Sequence, residues 1–139
     1  MRANRSMPPA SVIPVLAYHD VATAADWLCL VYGFTLRVSI GTHRAQLAYG
    51  DGSVVLNGTP TGAPSASSIR HSVMVRVDDV DSHYAQALAH NATILSPPAD
   101  FPYGERQYTT RDIGGHIWTF SQTLDDVDPK DWGGTLHQP

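Results

Sequence analysis

The side chains of this chain that could act on a small molecule are mostly aromatic rather than acidic. The large aromatic residues that follow position 102 in the 139-residue sequence are Tyr103, Tyr108, Trp118, Phe120 and Trp132. Aromatic rings offer broad apolar faces for stacking, which suits a flat and largely hydrophobic ligand. Chemistry that needs a glutamate carboxylate has a single candidate, because Glu105 is the only glutamate. It follows the loop that carries Tyr103.

Motifs for covalent catalysis and for phosphate binding are absent from the sequence. No Ser-His-Asp or Cys-His arrangement can be assembled, and no glycine-rich loop follows a strand. The single cysteine, Cys29, lies on an apolar helical pattern. We interpret it as a small buried hydrophobic residue rather than a nucleophile.

The composition is that of a globular domain with few possibilities for macromolecular partners. Hydrophobic residues make up 42% of the chain, the net charge is -4, and the nine basic residues are scattered. The chain therefore has enough apolar residues for a core and no basic stripe for nucleic acid. One cysteine and the lack of a signal peptide or a long apolar run indicate a cytoplasmic protein without a membrane segment.

The order of predicted elements repeats along the chain. Each half is predicted as a strand, a helix opened by an Asp-Val pair, and three further strands. We interpret Asp20 and Asp79 as the N-caps of the two helices. Landmarks recur at an offset of about 60 residues, namely Asp20 and Asp79, Gly33 and Asn91, and Gly52 and Gly115. The duplication predicts an α+β fold of two βαβββ modules.

The predicted elements divide the sequence as follows. In the second helix, four side chains are expected to face the core, Tyr84, Ala85, Ala87 and Leu88. The predicted strands span 12–18, 34–40, 45–49, 53–57, 71–77, 93–96, 105–111 and 116–121. The segments are a flexible leader 1–11, a first module 12–58, a linker 59–69, a second module 70–122 and a C-terminal tail 123–139.

Several of these motifs resemble the vicinal oxygen chelate superfamily. That superfamily includes glyoxalase I, the extradiol dioxygenases, and the bleomycin- and mitomycin-resistance proteins. The matching stretches are an apolar helix over 24–34, Val77 to Val80, Pro102 to Gly104, and an Asp-x-Gly-Gly hairpin over 112–120. The resemblance spans about residues 12–122 and implies two curled sheets that form a cleft.

The resemblance also indicates where a metal ion would be held. Metal-dependent members use His, Gln and Glu side chains on four strands, and those positions correspond here to Ile13, Leu56, Ser72 and Thr119. Ile13 and Leu56 have no donor atom, and the two hydroxyls are weak neutral ligands. We therefore expect no metal and no other cofactor, although a bulge that turned His71 into the cleft would change this expectation.

A metal-free member of this superfamily is expected to bind rather than to catalyse. The resemblance implies that a homodimer sequesters a small hydrophobic or aromatic molecule, such as an antibiotic. Trp118 and Phe120 alternate with Thr119 and are predicted to be core residues. The residues predicted to contact the ligand are Ile13, Val15, Leu56, Ser72, Met74, Tyr103, Tyr108, Thr119 and Trp132.

Three other interpretations remain open from the sequence. One is a metal-dependent lyase, isomerase or dioxygenase of the same superfamily. Another is a metal-independent enzyme that uses a tyrosine or an arginine as an acid or as an electrostatic stabiliser. The third is an interaction module without a small ligand.

Overall fold

The computed structural model describes residues 3–59 and 71–137, and the chain divides into two compact units. The first unit runs to His71 and also includes the turn Asp112–His116, whereas the second unit holds Ser72–Arg111 and the chain from Ile117 onward. The predicted linker lies outside the described residues, apart from Thr59.

The first unit contains one helix and a four-stranded sheet in the order β1-β4-β3-β2. Strand β1 is parallel to β4, and the other neighbouring pairs are antiparallel. The elements are β1 (Val15–Tyr18), α1 (Val21–Tyr32), β2 (Thr35–Ile40), β3 (Arg44–Tyr49) and β4 (Gly52–Gly58).

The second unit repeats this arrangement, with the strand order β5-β8-β7-β6. Its parallel pair is β5 with β8. The elements are β5 (Ser72–Arg76), α2 (Val80–Ala89), β6 (Thr93–Phe101), β7 (Glu105–Arg111) and β8 (Ile117–Thr123), followed by a 3-10 helix (Pro129–Trp132). The predicted α+β fold of two βαβββ modules is confirmed, and neither sheet closes on itself.

Both helices begin at the aspartates that the sequence predicts as caps. The Asp20 carboxylate accepts from the Thr23 backbone N–H at 3.0 Å, and Asp79 accepts from that of Ser82 at 3.1 Å. These bonds satisfy helix donors that have no partner within the helix. They also hold the pKa of each aspartate below its ordinary value.

The first core forms between α1 and the side of the sheet that faces it. Helix α1 packs on β3 and β4. The side chains of Leu28, Leu47 and Leu56 are fully buried there. Burying a leucine side chain stabilises a fold by about 1.5–3 kcal/mol. These three leucines therefore stabilise the packing of the first sheet against α1.

The second core is aromatic and lies beneath α2. Trp118 and Phe120 are fully buried, as predicted, and the His83 ring lies 4.1 Å from that of Phe120, measured between ring centroids. Helix α2 therefore contacts the sheet along Val80, His83 and Ala87, which share one helical face.

The inward face predicted for α2 is partly wrong. Ala87 is buried, but Leu88 is 47% exposed and Ala85 is exposed as well. The reason is that His83 packs against Phe120. The buried face of α2 therefore runs through Val80, His83 and Ala87, and Ala85 and Leu88 lie outside it.

Strand β6 is longer than the sequence predicts. The predicted strand spans 93–96, yet β6 continues through Pro97 and Pro98 to Phe101, with register shifts on both sides of Ser96. Proline is tolerated here because β6 is an edge strand, where one row of N–H groups has no ladder partner. Among the described residues, no helix is long and apolar enough to cross a membrane.

Candidate functional site

Three aromatic side chains cluster at the β6–β7 end of the second unit. The rings of Phe101 and Tyr103 are nearly parallel, with centroids 5.5 Å apart. The Trp132 ring meets that of Tyr103 edge-on, with centroids 5.4 Å apart. Phe101 is 40% exposed and Trp132 is 46% exposed. This cluster, called the aromatic group below, presents apolar ring surface to solvent.

The aromatic group is positioned by a tight turn and a capped 3-10 helix. Gly104 adopts φ +83° in the turn, where its N–H donates to the Phe101 carbonyl at 3.1 Å. Its carbonyl accepts from the Leu124 N–H at 2.8 Å, which fastens the tail to the turn. The 3-10 helix that carries Trp132 is capped by the Asp128 side chain. Residues distant in sequence are thereby brought together.

A chain of polar side chains runs beside the aromatic group. The Tyr103 hydroxyl donates to Gln107 Oε1 at 3.2 Å, and Gln107 Nε2 donates to Ser121 Oγ at 3.0 Å. The Ser121 hydroxyl in turn donates to Glu105 Oε1 at 2.7 Å. Ser121 and Gln107 are buried, whereas Glu105 and Tyr103 are half-buried. The polar chain therefore ends in a partly accessible carboxylate.

These polar residues share the side of the sheet that is opposite α2. Residues two apart on a strand share a face, which places Glu105 and Gln107 on one side of β7. Gln107 pairs with Ser121 on β8, and Phe101 pairs with Glu105. Neither Glu105 nor Phe101 is among the predicted ligand contacts, although alternation along β7 indicates that Glu105 and Gln107 share a face.

The open side of the second sheet also carries three of the predicted ligand contacts. Met74 pairs with Thr119, and Ser72 lies two residues before Met74 on the same face. Met74 is 61% exposed, and the hydroxyls of Thr119 and Thr109 lie 3.1 Å apart. Ser72, Met74 and Thr119 are therefore adjacent, in the same sheet as the aromatic group.

Two of the predicted contacts lie on the helix side instead. Leu56 pairs with Leu16 and is fully buried in the first core. Tyr108 pairs with Phe120 and is fully buried in the second core, where its hydroxyl is bonded to His83 Nδ1. Leu56 is therefore not on an open face, because the faces of β4 differ by one residue from the predicted alternation. Tyr108, to which the alternation assigned no face, is a core residue rather than a ligand contact.

The remaining predicted contacts lie in the first unit. Val15 is 55% exposed on the side of β1 opposite the buried Leu16. Ile13 is half-buried and lines a cavity with the N-terminal segment. The structure thus brings Tyr103 and Trp132 together in one group and Ser72, Met74 and Thr119 in another, while Val15 and Ile13 belong to the other unit.

The four positions that the resemblance assigns to metal ligands do not fit a divalent ion. Leu56 is buried against the helix and Ile13 carries no donor atom. Ser72 and Thr119 offer neutral hydroxyls, and that of Thr119 lies within hydrogen-bond distance of the Thr109 hydroxyl. In residues 3–59 and 71–137, no group of three His, Cys, Asp or Glu side chains could hold an ion.

A buried polar group ties the 112–116 turn to β1 within the first unit. The Tyr18 hydroxyl donates to Asp112 Oδ2 at 2.6 Å, while Asp112 Oδ1 accepts from the N–H groups of Gly114 and His116 at 2.9 and 2.8 Å. Burial, followed by the charge of Asp112, raises the pKa of Tyr18. Tyr18 is 3% exposed, so it serves the fold rather than a ligand.

Cys29 does not have the surroundings of a nucleophile. Burial, together with the nearby Asp26 carboxylate, raises the pKa of its thiol. A raised pKa lowers the thiolate fraction at neutral pH, and the thiolate is the reactive form. Cys29 is half-buried rather than buried as predicted, and its raised pKa agrees with a packing role rather than a nucleophilic one.

The fold and the sequence place this chain in a known superfamily. The sequence model described as Glyoxalase/Bleomycin resistance protein/Dioxygenase superfamily matches residues 12–120. The chain therefore belongs to that superfamily, as the resemblance of its motifs implied. A search of curated proteins gave no significant match.

Two solved structures combine this fold with appreciable sequence identity. TioX from Micromonospora sp. ML1 is 36% identical, with a TM-score of 0.68 over 86% of this chain and 100% of that chain. TnmS3, an antibiotic binding protein from Streptomyces sp. CB03234, is 28% identical, with a TM-score of 0.65 over 80% of this chain and 93% of that chain.

A third structure supports the fold alone. A glyoxalase/bleomycin resistance protein/dioxygenase from Nocardioides is 23% identical, with a TM-score of 0.65 over 93% of this chain and 90% of that chain. At this identity the likeness carries no argument about the ligand or the chemistry.

Proposed function

We propose that this protein binds and sequesters a small aromatic or hydrophobic molecule of the antibiotic type, without a metal ion and without converting it. In this proposal the working form is a cytoplasmic homodimer. The observation that carries the proposal is the aromatic group, whose Phe101 and Trp132 rings are 40% and 46% exposed beside a polar chain.

The aromatic group favours a planar ligand. Stacked or edge-on contacts between aromatic rings contribute about 0.5–1.5 kcal/mol beyond the area they bury. Phe101 and Trp132 are held through Tyr103, so little rotamer freedom remains to be lost on binding. Preorganised rings bind a flat molecule more tightly than mobile rings do.

The polar chain adds a preference for ligands with hydrogen-bond donors. Glu105 Oε1 already accepts from Ser121, and no residue in the described part of the chain donates to Oε2. A carboxylate at the edge of an apolar surface favours an N–H, O–H or ammonium group. The expected ligand is therefore a flat ring system with at least one donor substituent.

The comparison with TnmS3 supports the same class of function. That protein is described as an antibiotic binding protein, and the chain matches 93% of its length at 28% identity. Fold alone does not determine function within this superfamily. The support therefore depends on the likeness together with the aromatic group.

The homodimer is part of the proposal because the resemblance to metal-free members of the superfamily implies binding sites shared between two chains. Large apolar side chains such as Val15, Leu36 and Met74 are 55%, 48% and 61% exposed, and a second copy would cover apolar surface of this kind. Light scattering of the protein at about 10 µM is expected to give twice the chain mass. A monomer mass would contradict the proposed homodimer, whereas it would not affect the proposed role of the aromatic group.

The binding proposal is tested by titration calorimetry with bleomycin, mitomycin C and doxorubicin on chelator-treated protein. We expect at least one compound to bind, and Trp132→Ala or Phe101→Ala to weaken its affinity by about tenfold. The matched control is Leu136→Ala, because Leu136 is an exposed apolar residue of the same tail. Its affinity is expected to stay within about twofold of the unmodified protein.

Mass spectrometry of the recovered compound separates sequestration from catalysis. An unchanged compound supports sequestration.

The calorimetry of the variants tests the location of the site. If Trp132→Ala and Phe101→Ala both bind the compound as tightly as the unmodified protein, the aromatic group is not the binding site.

A metal-independent enzyme is the second candidate, and one observation favours it. The polar chain joins Tyr103 to Glu105 through Gln107 and Ser121, and a carboxylate beside a ligand surface can act as a general base. Conversion of a bound compound by the native protein but not by Glu105→Gln would favour this candidate. Retained binding with no product in either protein would favour sequestration.

A further inference from the structure

The N-terminal segment, residues 4–11, is tied to the first sheet by two side chains. Arg37 donates from a terminal guanidinium nitrogen to the Arg5 carbonyl at 2.9 Å. Gln46 Nε2 donates to the Ser6 carbonyl at 2.8 Å, and Gln46 Oε1 accepts from Arg37. The segment is therefore connected to β2 and β3 at adjacent positions.

Arg37 reaches the segment because β2 carries a bulge. The pairing of β2 with β3 shifts between Leu36 and Val38, so that Val38 pairs with Gln46 and Arg37 is the extra, unpaired residue. A bulge turns a side chain to a different face and bends the strand. This irregularity directs the guanidinium towards the N-terminal segment rather than along the edge of the sheet.

The segment borders a cavity of about 680 Å³ in the first unit, which is open to solvent on one side. This volume falls in the range of small-molecule sites, about 300–1,000 Å³. The apolar wall is formed by Met7, Pro8, Pro9 and Ile13, and Arg5 and Arg37 also line the cavity. Apolar walls with a few placed polar groups are typical of ligand pockets.

Among residues 3–59 and 71–137, no acidic side chain forms an ion pair with Arg37. Its acceptors are a main-chain carbonyl and a side-chain amide oxygen, both neutral. The lining of the cavity includes no aspartate or glutamate. Within the described part of the chain, the ion pairs are formed by Arg106 and Lys130. A guanidinium has five N–H donors, and its two bonds here leave the others available.

We propose that this cavity binds a small monoanion with an apolar body, such as an aliphatic carboxylate, whose charged group meets Arg37. The arginine fork matches a carboxylate and forms shorter, stronger charge-assisted hydrogen bonds than neutral groups do. The proline-rich wall takes the apolar body. This site is formed by residues of the first unit alone, and the proposal does not depend on the function proposed for the aromatic group.

The probe pair is octanoate and octanamide, which have the same length and no aromatic ring. Titration calorimetry at low salt is expected to show binding of octanoate at least about tenfold tighter than that of octanamide. In ¹⁵N-labelled protein, octanoate is expected to shift the Arg37 Nε–H signal and the amide signals of residues 5–7, 10 and 11. Trp132→Ala is expected to leave this binding unchanged.

Two substitutions separate the charge of Arg37 from its support of the segment. Arg37→Gln is expected to bring the octanoate-to-octanamide ratio close to one. Arg37→Lys keeps the charge and is expected to retain most of the preference. Arg44→Gln is the matched control, since it removes the same charge from an exposed position on β3, and it is expected to leave the ratio within about twofold.

Three outcomes would overturn the proposal. They are equal affinity of the native protein for the two probes, an unchanged ratio in Arg37→Gln, and an octanoate effect confined to signals outside the N-terminal segment and Arg37. If Arg37→Gln unfolds, the ratio measured for Arg37→Lys decides the matter. A ratio near one in that folded variant would contradict the requirement for a charge at this position.

Discussion

At the scale of single residues, the hydroxyl of Tyr18 and the carboxylate of Asp112 illustrate how a buried charge is accommodated. Asp112 is 6% exposed and receives bonds from Tyr18, Gly114 and His116. A buried carboxylate is tolerated when its lone pairs are satisfied in this way. The Tyr18 ring packs directly on Gly114, since a Cβ at that glycine would lie 2.5 Å from the ring.

Tyr18→Phe is expected to destabilise the protein by about 1–3 kcal/mol at pH 7, because a buried Asp112 oxygen loses its donor. The pKa of Tyr18 is raised above its ordinary value of 10.0, so the native state keeps a proton that the unfolded chain releases above that pH. The native free energy of unfolding should therefore fall above pH 10, by up to about 1.4 kcal/mol per pH unit.

Urea denaturation between pH 8 and 11 measures both effects. The loss of stability at high pH is expected to be smaller in Tyr18→Phe than in the native protein. If the free energies of unfolding of the two proteins fall in parallel between pH 8 and 11, Tyr18 does not release a proton on unfolding in this range. That result would contradict the buried hydrogen bond between Tyr18 and Asp112.

Some residue-scale predictions could not have been made correctly from the sequence. The run Val54-Val55-Leu56 is buried throughout, so it has no alternation from which to assign the face of Leu56. Tyr108 depends on its pairing with Phe120 across the hairpin, a register that the single strand does not encode. Trp118 and Phe120 were predictable because they alternate with polar residues.

At the scale of elements, the β6–β7 turn determines where the aromatic group lies. Gly104→Ala is expected to cost about 2–4 kcal/mol, because a side chain at positive φ is strained and the new Cβ would also overlap the chain. That Cβ would lie 2.5 Å from the Asp125 carbonyl oxygen. The same change should weaken ligand binding by displacing Tyr103.

Gly50→Ala is the matched control for this turn. Gly50 adopts φ +57° in another hairpin, with nothing within 4 Å of an added Cβ. It is expected to cost about 1 kcal/mol from the backbone alone. Equal losses of stability for the two variants in urea denaturation would contradict the role of the contact between Gly104 and Asp125.

The helix caps give a prediction with a defined pH dependence. The pKa of Asp79 is lowered by hydrogen bonds from Ser82, so its stabilisation is complete above the ordinary value of 3.8 and is lost as the pH falls through the lower native value. Asp79→Ala should therefore lower the melting temperature clearly at pH 7 and much less at pH 2.5.

Asp79→Asn is the control for the cap, since asparagine also accepts from the Ser82 N–H. Its melting temperature at pH 7 should lie nearer to that of the native protein than to that of the alanine variant. A penalty for Asp79→Ala that is the same at both pH values would show that the charge of the carboxylate contributes nothing.

The elements themselves were largely predictable, because caps, turn glycines and alternation coincide. Asp20 and Gly33 bound α1 as expected, and the strand order repeats between units. The predicted strand over 93–96 is shorter than β6, since the sequence does not show that β6 is an edge strand in which Pro97 and Pro98 are tolerated. The buried face of α2 was predicted only in part, because the contact between His83 and Phe120 is long-range.

At the scale of the whole molecule, a duplicated βαβββ module supports sites that the fold alone does not specify. Membership of the superfamily follows from the match over residues 12–120. The proposed ligand class follows from particular side chains, namely Phe101, Tyr103, Trp132 and Glu105. Two of these four, Phe101 and Glu105, were not predicted as contacts, because the position of β6 beside β7 is a tertiary feature.

The measurement that tests the central claim most directly combines elemental analysis with melting scans of tag-free, unchelated protein. The scans use Ni, Zn, Fe(II), Mn and Mg, and then bleomycin, mitomycin C and doxorubicin with and without chelator. Sequestration without metal predicts that no ion is present in stoichiometric amount and that no metal shifts the melting temperature. It also predicts that an aromatic compound raises the melting temperature and that this rise persists with chelator. A stoichiometric ion, or a compound-induced shift that disappears with chelator, would contradict it.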